Sequence, residues 1–286
     1  MRVRALASGS SGNCYLVQAG GHSLLVDCGL PPATLQKFLL NEGVNVAELE
    51  GIFLTHDHYD HLRGAGAVSL KWGVPVYGNK RTLEAAYHAW EKTARLEELR
   101  GGKIPVTRVY NTKIMPTGKV ASFGPLEITS FPVSHDAADT VCYTFRADGT
   151  QGVILTDLGC ATQEIFEPMA ASDLIVLEAN HSIEALLQNP NYPYSLKRRI
   201  SGDRGHLSNE QSAQILRRCI EESNPEHSVW LAHLSKENNH TDTAIESITS
   251  VLTEAGITNF PLEVATRDKP SLAFEAGVSY QQARLF

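Results

Sequence analysis

The sequence predicts an α+β fold, an αββα four-layer sandwich in which two mixed sheets stand face to face with helices outside them. Two features of the residue pattern fit this expectation without identifying the fold alone. Strand-like and helix-like segments occur in two successive sets along the 286 residues, the first β-rich and the second mixed. In both sets, ionisable residues stand directly after apolar strands. The length suffices for one large domain or two modest ones with a substantial core. With no low-complexity tract, no convincing linker and no obvious repeat, residues 1–286 are expected to form a single domain.

The elements follow in order. Val3–Ala7, Cys14–Gln18 and Ser23–Asp27 read as short strands, split by the turn-forming "SGSSGN" and "AGG". Thr34–Glu42 is helix-like and Gly51–Thr55 is a buried strand. Leu62–Trp72 suits a helix, "VPVYG" a short strand, and Thr82–Leu99 a long polar helix ended by "RGG". Strands return at Lys119–Phe123, Leu126–Pro132, Val141–Arg146 and Gly152–Thr156. Leu174–Glu178 is a further strand, with a helix near Ser182–Leu187. Asn209–Glu222 is a helix, "SVWLAH" a strand, and Thr243–Ala255 the last helix.

Composition is ordinary for a globular protein, 42% hydrophobic and 20% charged. No apolar run approaches the roughly 20 residues of a membrane span. The N-terminal "MRVRALASGSSGNCYLV" lacks the apolar centre of a signal peptide. A soluble, cytoplasmic protein with no membrane partner is therefore expected. The five cysteines (Cys14, Cys28, Cys142, Cys160, Cys219) are scattered and form no C-x-x-C pair. Neither a disulfide framework nor a cysteine zinc site fits that pattern. A net charge of −7 disfavours a broad nucleic-acid surface but leaves room for a local one. Carboxylates that hold cations count as negative in such a tally although the holo-site is not.

The chemistry is concentrated in "FLTHDHYDHLRG", where His56, His58, Asp60 and His61 form an H-x-H-x-D-H run behind an apolar strand. In an extended segment residues two apart point the same way, so His56 and His58 reach one ion together. The chain must then turn for Asp60 and His61 to face inward. Imidazole and carboxylate at this density suit zinc or a similar divalent ion. Further ligands are expected from other strand ends: His135 after "EITSFPVSHD", Asp157 after "GVILTD" and His233 after "SVWLAH". Each of these alone also reads as a turn or cap residue. Together with the cluster they read as ligands.

The ordered motifs "THDHYDH", "SH" at Ser134–His135, "TD" at Thr156–Asp157 and "AHLS" at Ala232–Ser235 resemble those of the metallo-β-lactamase-fold hydrolases. "LLVDCG" at Leu24–Gly29 matches the aspartate that precedes them, and the likeness runs from about Met1 to His240. The fold expectation rests on this resemblance more than on the strand pattern. The resemblance implies two divalent ions, zinc first and manganese as the other choice. One would be held by His56, His58 and His135, the other by Asp60, His61 and His233, with Asp157 bridging. Asp27 would orient a ligand histidine from behind. A water between the ions would ionise near neutral pH, positioned by Asp60.

Fold alone does not choose among thioesters, β-lactams, phosphodiesters and redox chemistry. His58 stands where oxygen-reducing di-iron relatives carry Glu, and no flavin domain is present. "LIVLEANHS" followed by "GHLSNEQSAQIL" resembles two motifs of RNase Z-like phosphodiesterases, in which a Glu holds a His that protonates the leaving alkoxide. Glu178 and His206 match those positions. "SLKRRISGDRGH" carries Lys197, Arg198, Arg199 and Arg204, which suit phosphate contacts or an ordinary solvated loop. Tyr192 and Tyr194 just before it offer base stacking. The interval from His135 to Asp157 leaves no room for the tRNA-binding arm of RNase Z. The interval from Asp157 to His233 leaves none for a β-CASP domain. "LASGSSGNCYLV", "LLVDCGL", "EAN" and "LAHLSKENN" resemble the compact YycJ/WalJ exonuclease group. That resemblance implies a dinuclear phosphodiesterase on nucleic acid, a 5′→3′ exonuclease on DNA. The "GSSGN" loop reads equally as a source of backbone N–H donors near the site or as a plain hairpin turn. The rivals are a phosphodiesterase on small cyclic or dinucleotide esters, a glyoxalase II-like thioesterase, and a metal-bound scaffold without turnover. Metal identity, DNA against RNA, polarity and oligomeric state, a homodimer included, stay open in the sequence.

Overall fold

The computed structural model describes residues 1–100, 108–223, 227–258 and 260–277. Strands β1 (Arg2–Ala7), β2 (Cys14–Ala19) and β3 (His22–Val26) form an antiparallel meander. β3 then pairs in parallel with β4 (Gly51–Phe53), β4 with β5 (Val76–Gly78), and β5 with β6 (Thr112–Ile114). In the second sheet β7 (Val120–Phe123), β8 (Leu126–Pro132), β9 (Val141–Ala147) and β10 (Thr150–Leu155) are antiparallel neighbours. β11 (Leu174–Glu178), β12 (Ser228–Ala232) and β13 (Leu262–Val264) extend it in parallel. β14 (Ala273–Glu275) returns to the free edge of β1. Both sheets are thus mixed, with seven strands each among the described residues.

Helices cover the outer faces. α1 (Pro32–Asn41), the single turn α2 (Tyr59–Leu62), α3 (Ala65–Trp72) and α4 (Lys80–Leu99) belong to the first half. α5 (Phe166–Ala170), α6 (Ile183–Gln188), α7 (Tyr194–Ile200), α8 (Asn209–Glu222) and α9 (Thr241–Glu254) belong to the second. Alternation along the strands sorts the apolar side chains into layers. Tyr15 and Val17 of β2 meet Tyr143, Phe145 and Trp230 between the sheets. Cys14 and Leu16 of the same strand pack outward with Leu35, Leu39, Val68 and Trp90 of the helices. Leu155, Leu177 and Leu231 do the same on the other side with Leu216, Ile248 and Leu252. Three apolar layers between four layers of backbone are the αββα sandwich that the sequence predicts.

The differences are local. The helix expected over Leu62–Trp72 is broken at Gly64. The Gly64 N–H donates to the Cys28 carbonyl at 2.8 Å, and a Cβ there would lie 2.1 Å from the Leu30 oxygen. This close passage ends α2 before α3 begins. The basic stretch, for which the sequence offered phosphate contacts or a solvated loop, begins as helix α7, whose Leu196 and Ile200 share one face. β6, β13 and β14 are three-residue edge strands that exist through pairing with a neighbour rather than through any pattern of their own. Gly101 and Gly102, expected to end α4, lie outside the described residues. No helix among the described residues is long and apolar enough to cross a membrane.

Candidate metal centre

The polar residues gather where strands end. Asp27 follows β3, His56 lies just past β4, His135 past β8 and Asp157 past β10; Glu178 ends β11, and His233 follows β12. Asp27, Asp157 and His233 hold left-handed backbone conformations, with φ of 59°, 60° and 54°. Such backbone is costly for side-chain-bearing residues, and it persists where surrounding structure imposes it. Here hydrogen bonds do so. The Asp27 N–H donates to the Phe53 carbonyl at 2.9 Å, and the His233 N–H to Ser8 Oγ at 2.8 Å. The kink at each strand end aims one polar side chain at a common point.

Two triads meet there. His56, His58 and His135 bring one potential ligand atom each within 4.8 Å of one another, and so do Asp60, His61 and His233. Asp157 lies between them: Oδ2 is 3.0 Å from His61 Nε2, and Oδ1 is 3.7 Å from His135 Nε2. Most of the imidazoles are locked from behind. His61 Nδ1 is 2.7 Å from Asp27 Oδ2, and His56 Nδ1 is 2.9 Å from Thr55 Oγ1. His135 Nδ1 donates to the Gly205 carbonyl at 2.8 Å, and His233 Nδ1 to Glu178 Oε1 at 2.7 Å. Each of these rings is left with Nε2 for the centre, which is how outer partners fix the tautomer of metal-ligating histidines. His58 offers Nδ1 instead, 3.2 Å from His135 Nε2.

The residues present fit two divalent ions. His56 Nε2, of the first triad, and Asp157 Oδ2, 3.0 Å from His61 of the second, are buried atoms with no hydrogen-bond partner among the described residues. Orphaned buried polar atoms are costly, and an ion satisfies both. The electrostatics agree. Burial favours neutral rings at His61 and His233 but is outweighed. Asp157, Asp27 and Asp60 push His61 well above an ordinary histidine, and chiefly Asp157, Asp60 and Glu178 push His233 up to about 10. Burial likewise opposes ionisation of Asp60 and Asp157, yet the imidazoles hold both far below the usual carboxylate range. The carboxylates draw positive charge to this point, which is what divalent cations supply. The nitrogen and oxygen donor set suits zinc or manganese.

Beside the triads stands a pair of a different kind. His206 Nδ1 donates to Glu178 Oε1 at 2.9 Å, and Glu178 Oε2 accepts from the Leu207 N–H at 3.1 Å. Burial lowers the His206 pKa, but the Glu178 and Asp157 carboxylates outweigh it and the ring is held above its ordinary value. Burial raises Glu178, but His206 and His233 bring it down to about 2. His206, Asp60, Asp157 and His233 line a cavity of about 210 Å³, together with Ser10 and, from α7, Leu196, Arg199 and Ile200.

The six residues expected for substrate contact are dispersed. Arg199 lines the cavity and its Nε donates to Asp136. Arg204 is exposed, but its Nε and Nη2 both donate to the His135 carbonyl, at 3.2 and 3.0 Å. Lys197 Nζ donates to the Leu187 carbonyl. Arg198 and Tyr194 are exposed and Tyr192 is half-buried, all three away from the cavity lining. Other residues went unread in the sequence. Asn13 Nδ2 is 2.9 Å from His61 Nε2 and donates to Asp60 Oδ2 at 3.2 Å. Thr55 Oγ1 links Asp27 to His56. Asp136 stands 3.5 Å from His135 Nε2 and 3.8 Å from His58 Nε2. The signal for Asn13 was its place after the glycine-rich turn; Thr55 and Asp136 adjoin ligands and carried no separate signal.

Comparisons with known proteins show the family and the fold. The family described as the beta-lactamase superfamily domain matches residues 22–233. Exodeoxyribonuclease YycJ of Bacillus anthracis is 35% identical over 256 residues, covering 90% of both chains. Exodeoxyribonuclease WalJ of Streptococcus pneumoniae is 35% identical over 252 residues, covering 88% of both. Among solved structures, the metallo-beta-lactamase fold protein YhfI from Bacillus subtilis superposes with a TM-score of 0.65 at 19% identity, over 96% of this chain and 98% of that one.

Proposed function

The chain belongs to the beta-lactamase superfamily domain family, and from that membership, its likeness to two exodeoxyribonucleases and the pair beside the triads we propose that it is a metal-dependent exodeoxyribonuclease that degrades DNA from the 5′ end. The observation that carries the phosphodiester chemistry is Glu178 Oε1 accepting from His206 Nδ1 at 2.9 Å beside the two triads. A thiolate or a lactam nitrogen on metal leaves without such a pair, whereas a nucleotide alkoxide is a poor leaving group. A positioned acid is worth about 10²–10⁴-fold for it.

His56, His58 and His135 would hold one divalent ion, and Asp60, His61 and His233 the other, with Asp157 between them. When bound, zinc or manganese supplies Lewis-acid stabilisation of phosphoryl charge and acidifies water. The remaining steps fall to the chain. Asp60 Oδ2 is engaged by Asn13, which leaves Oδ1 to accept a hydrogen bond from the attacking water and orient it. The P–O bond to the leaving oxygen breaks as His206 Nε2 delivers its proton there. Glu178 keeps Nδ1 protonated and steadies the imidazolium. The His206 side chain is 21% exposed, so solvent restores the proton after each cycle.

One domain without a β-CASP insert or a tRNA-binding arm fits an enzyme that meets a free strand end. All five cysteines are free thiols, which fits a reducing cytoplasm. The test is digestion of 5′- and 3′-labelled single-stranded DNA and RNA with Mn²⁺ or Zn²⁺, with His58→Ala as control. The expected result is progressive loss from the 5′ end of DNA, absent in the variant. Cleavage of a small cyclic or dinucleotide ester with no cleavage of any polymer, both metals being bound, would replace this reading with the small-ester one.

A further inference from the structure

We propose that Arg199, held by Asp136, is a clamp for the phosphate next to the scissile one along a polynucleotide. This rests on the nuclease reading above and adds a subsite to it. Leu196, Arg199 and Ile200 stand at i, i+3 and i+4 on the face of α7 that lines the cavity. Arg199 Nε donates to Asp136 Oδ2, whose other oxygen lies 3.5 Å from His135 Nε2 and 3.8 Å from His58 Nε2. The Asp136 carboxylate therefore stands between the guanidinium and the imidazoles of the first triad. That layer decides which phosphate Arg199 serves. The scissile group belongs among the triads, and the guanidinium stands one side chain further out, at the mouth.

The tether leaves the rest of the fork free. Arg199 Nη1 and Nη2 make no hydrogen bond among the described residues, and the side chain is 61% exposed. A guanidinium fixed through Nε keeps two N–H groups on each terminal nitrogen, which match two oxygens of a phosphate. Its neighbours are committed elsewhere, Arg204 to the His135 carbonyl and Lys197 to the Leu187 carbonyl. The size of the cavity points the same way. About 210 Å³ is less than the 300–1,000 Å³ or so of a site enclosing a drug-sized ligand. A phosphodiester and part of a sugar fill it, and the rest of the strand must pass α7.

The experiment compares wild type with Arg199→Gln and Arg199→Lys, each with its metal content measured. The substrates are 5′-labelled single-stranded DNA and bis(4-nitrophenyl) phosphate, which has no second phosphate. Arg199→Gln should raise the KM for DNA about 10- to 100-fold, as loss of a charge-assisted hydrogen bond does. The loss of kcat/KM on the single ester should be at least tenfold smaller. The slope of log(1/KM) for DNA against log[KCl] should flatten by about 0.7, the share of one phosphate contact to a single strand. Arg199→Lys should keep the salt slope and recover part of the affinity, because it keeps the charge and loses the fork. An unchanged KM and salt slope in Arg199→Gln, with wild type active on DNA, would overturn the clamp and leave the nuclease reading intact. Equal losses on both substrates, or loss of metal, would also overturn it by making Arg199 structural. Wild type that is inert on DNA would instead remove the nuclease reading itself.

Discussion

Glu178 Oε1 lies 2.9 Å from His206 Nδ1, and the same oxygen lies 2.7 Å from His233 Nδ1. One buried carboxylate thus orients a ring of the second proposed triad and a ring that is in neither proposed triad. The two imidazoles have different work, although one anchor holds both.

The first consequence concerns His206→Ala. The variant should keep both metals, because the two proposed triads do not use His206, whose Nδ1 is taken by Glu178, and lose about 10²–10⁴-fold in kcat on DNA. On a 4-nitrophenyl ester the loss should be much smaller, since that leaving group needs no proton. Metal analysis and the two rates check it. Equal losses on both esters would remove His206 as the acid.

The second concerns pH. In the proposed mechanism His206 acts protonated, so activity should fall as pH rises through its pKa. The Glu178 carboxylate raises that pKa. Glu178→Gln removes the charge but retains an acceptor, so the alkaline limb of log kcat against pH should move to lower pH. A limb that stays in place, or moves up, would contradict the assignment.

The third concerns Asp27. It is buried at a φ of 59°, accepts from the Thr55 N–H at 2.9 Å and lies 2.7 Å from His61 Nδ1. Asn tolerates this backbone, so Asp27→Asn should fold yet bind metal about 10- to 100-fold more weakly. Asp27→Ala adds left-handed strain of about 1–2 kcal/mol and should also melt lower. Metal titration and thermal denaturation separate the two effects.

The fourth concerns Gly29. Its N–H donates to the Asn13 carbonyl at 2.9 Å, and the Asn13 N–H donates to the Asp60 carbonyl at 2.7 Å. A Cβ on Gly29 would lie 1.8 Å from that Asp60 oxygen. Gly29→Ala must push the α2 turn away, costing about 1–3 kcal/mol of overpacking and displacing Asp60 and His61. The expected result is loss of the ion held by Asp60, His61 and His233. Full occupancy of both positions by metal analysis would show that the loop yields instead.

What the sequence determined by itself was the kind of chemistry and its place on the chain. His56, His58, Asp60 and His61 are adjacent, and His135, Asp157 and His233 each follow an apolar run that ends in a turn. Residue type and strand end are local properties, so they are written where a reader can find them. The tertiary structure decided what meets what. Glu178 is 28 positions from His206 and 55 from His233, and its contact with His233 depends on β11 and β12 being parallel neighbours. Asn13 reaches His61 because the glycine-rich turn folds against α2, and Asp136 faces Arg199 across 63 residues. Of the three cations on α7, only Arg199 lines the cavity, because α7 is a helix and its i, i+3, i+4 face selects it. A helix face and the order of strands in a sheet are set by packing across the whole domain, and no short stretch of sequence contains them.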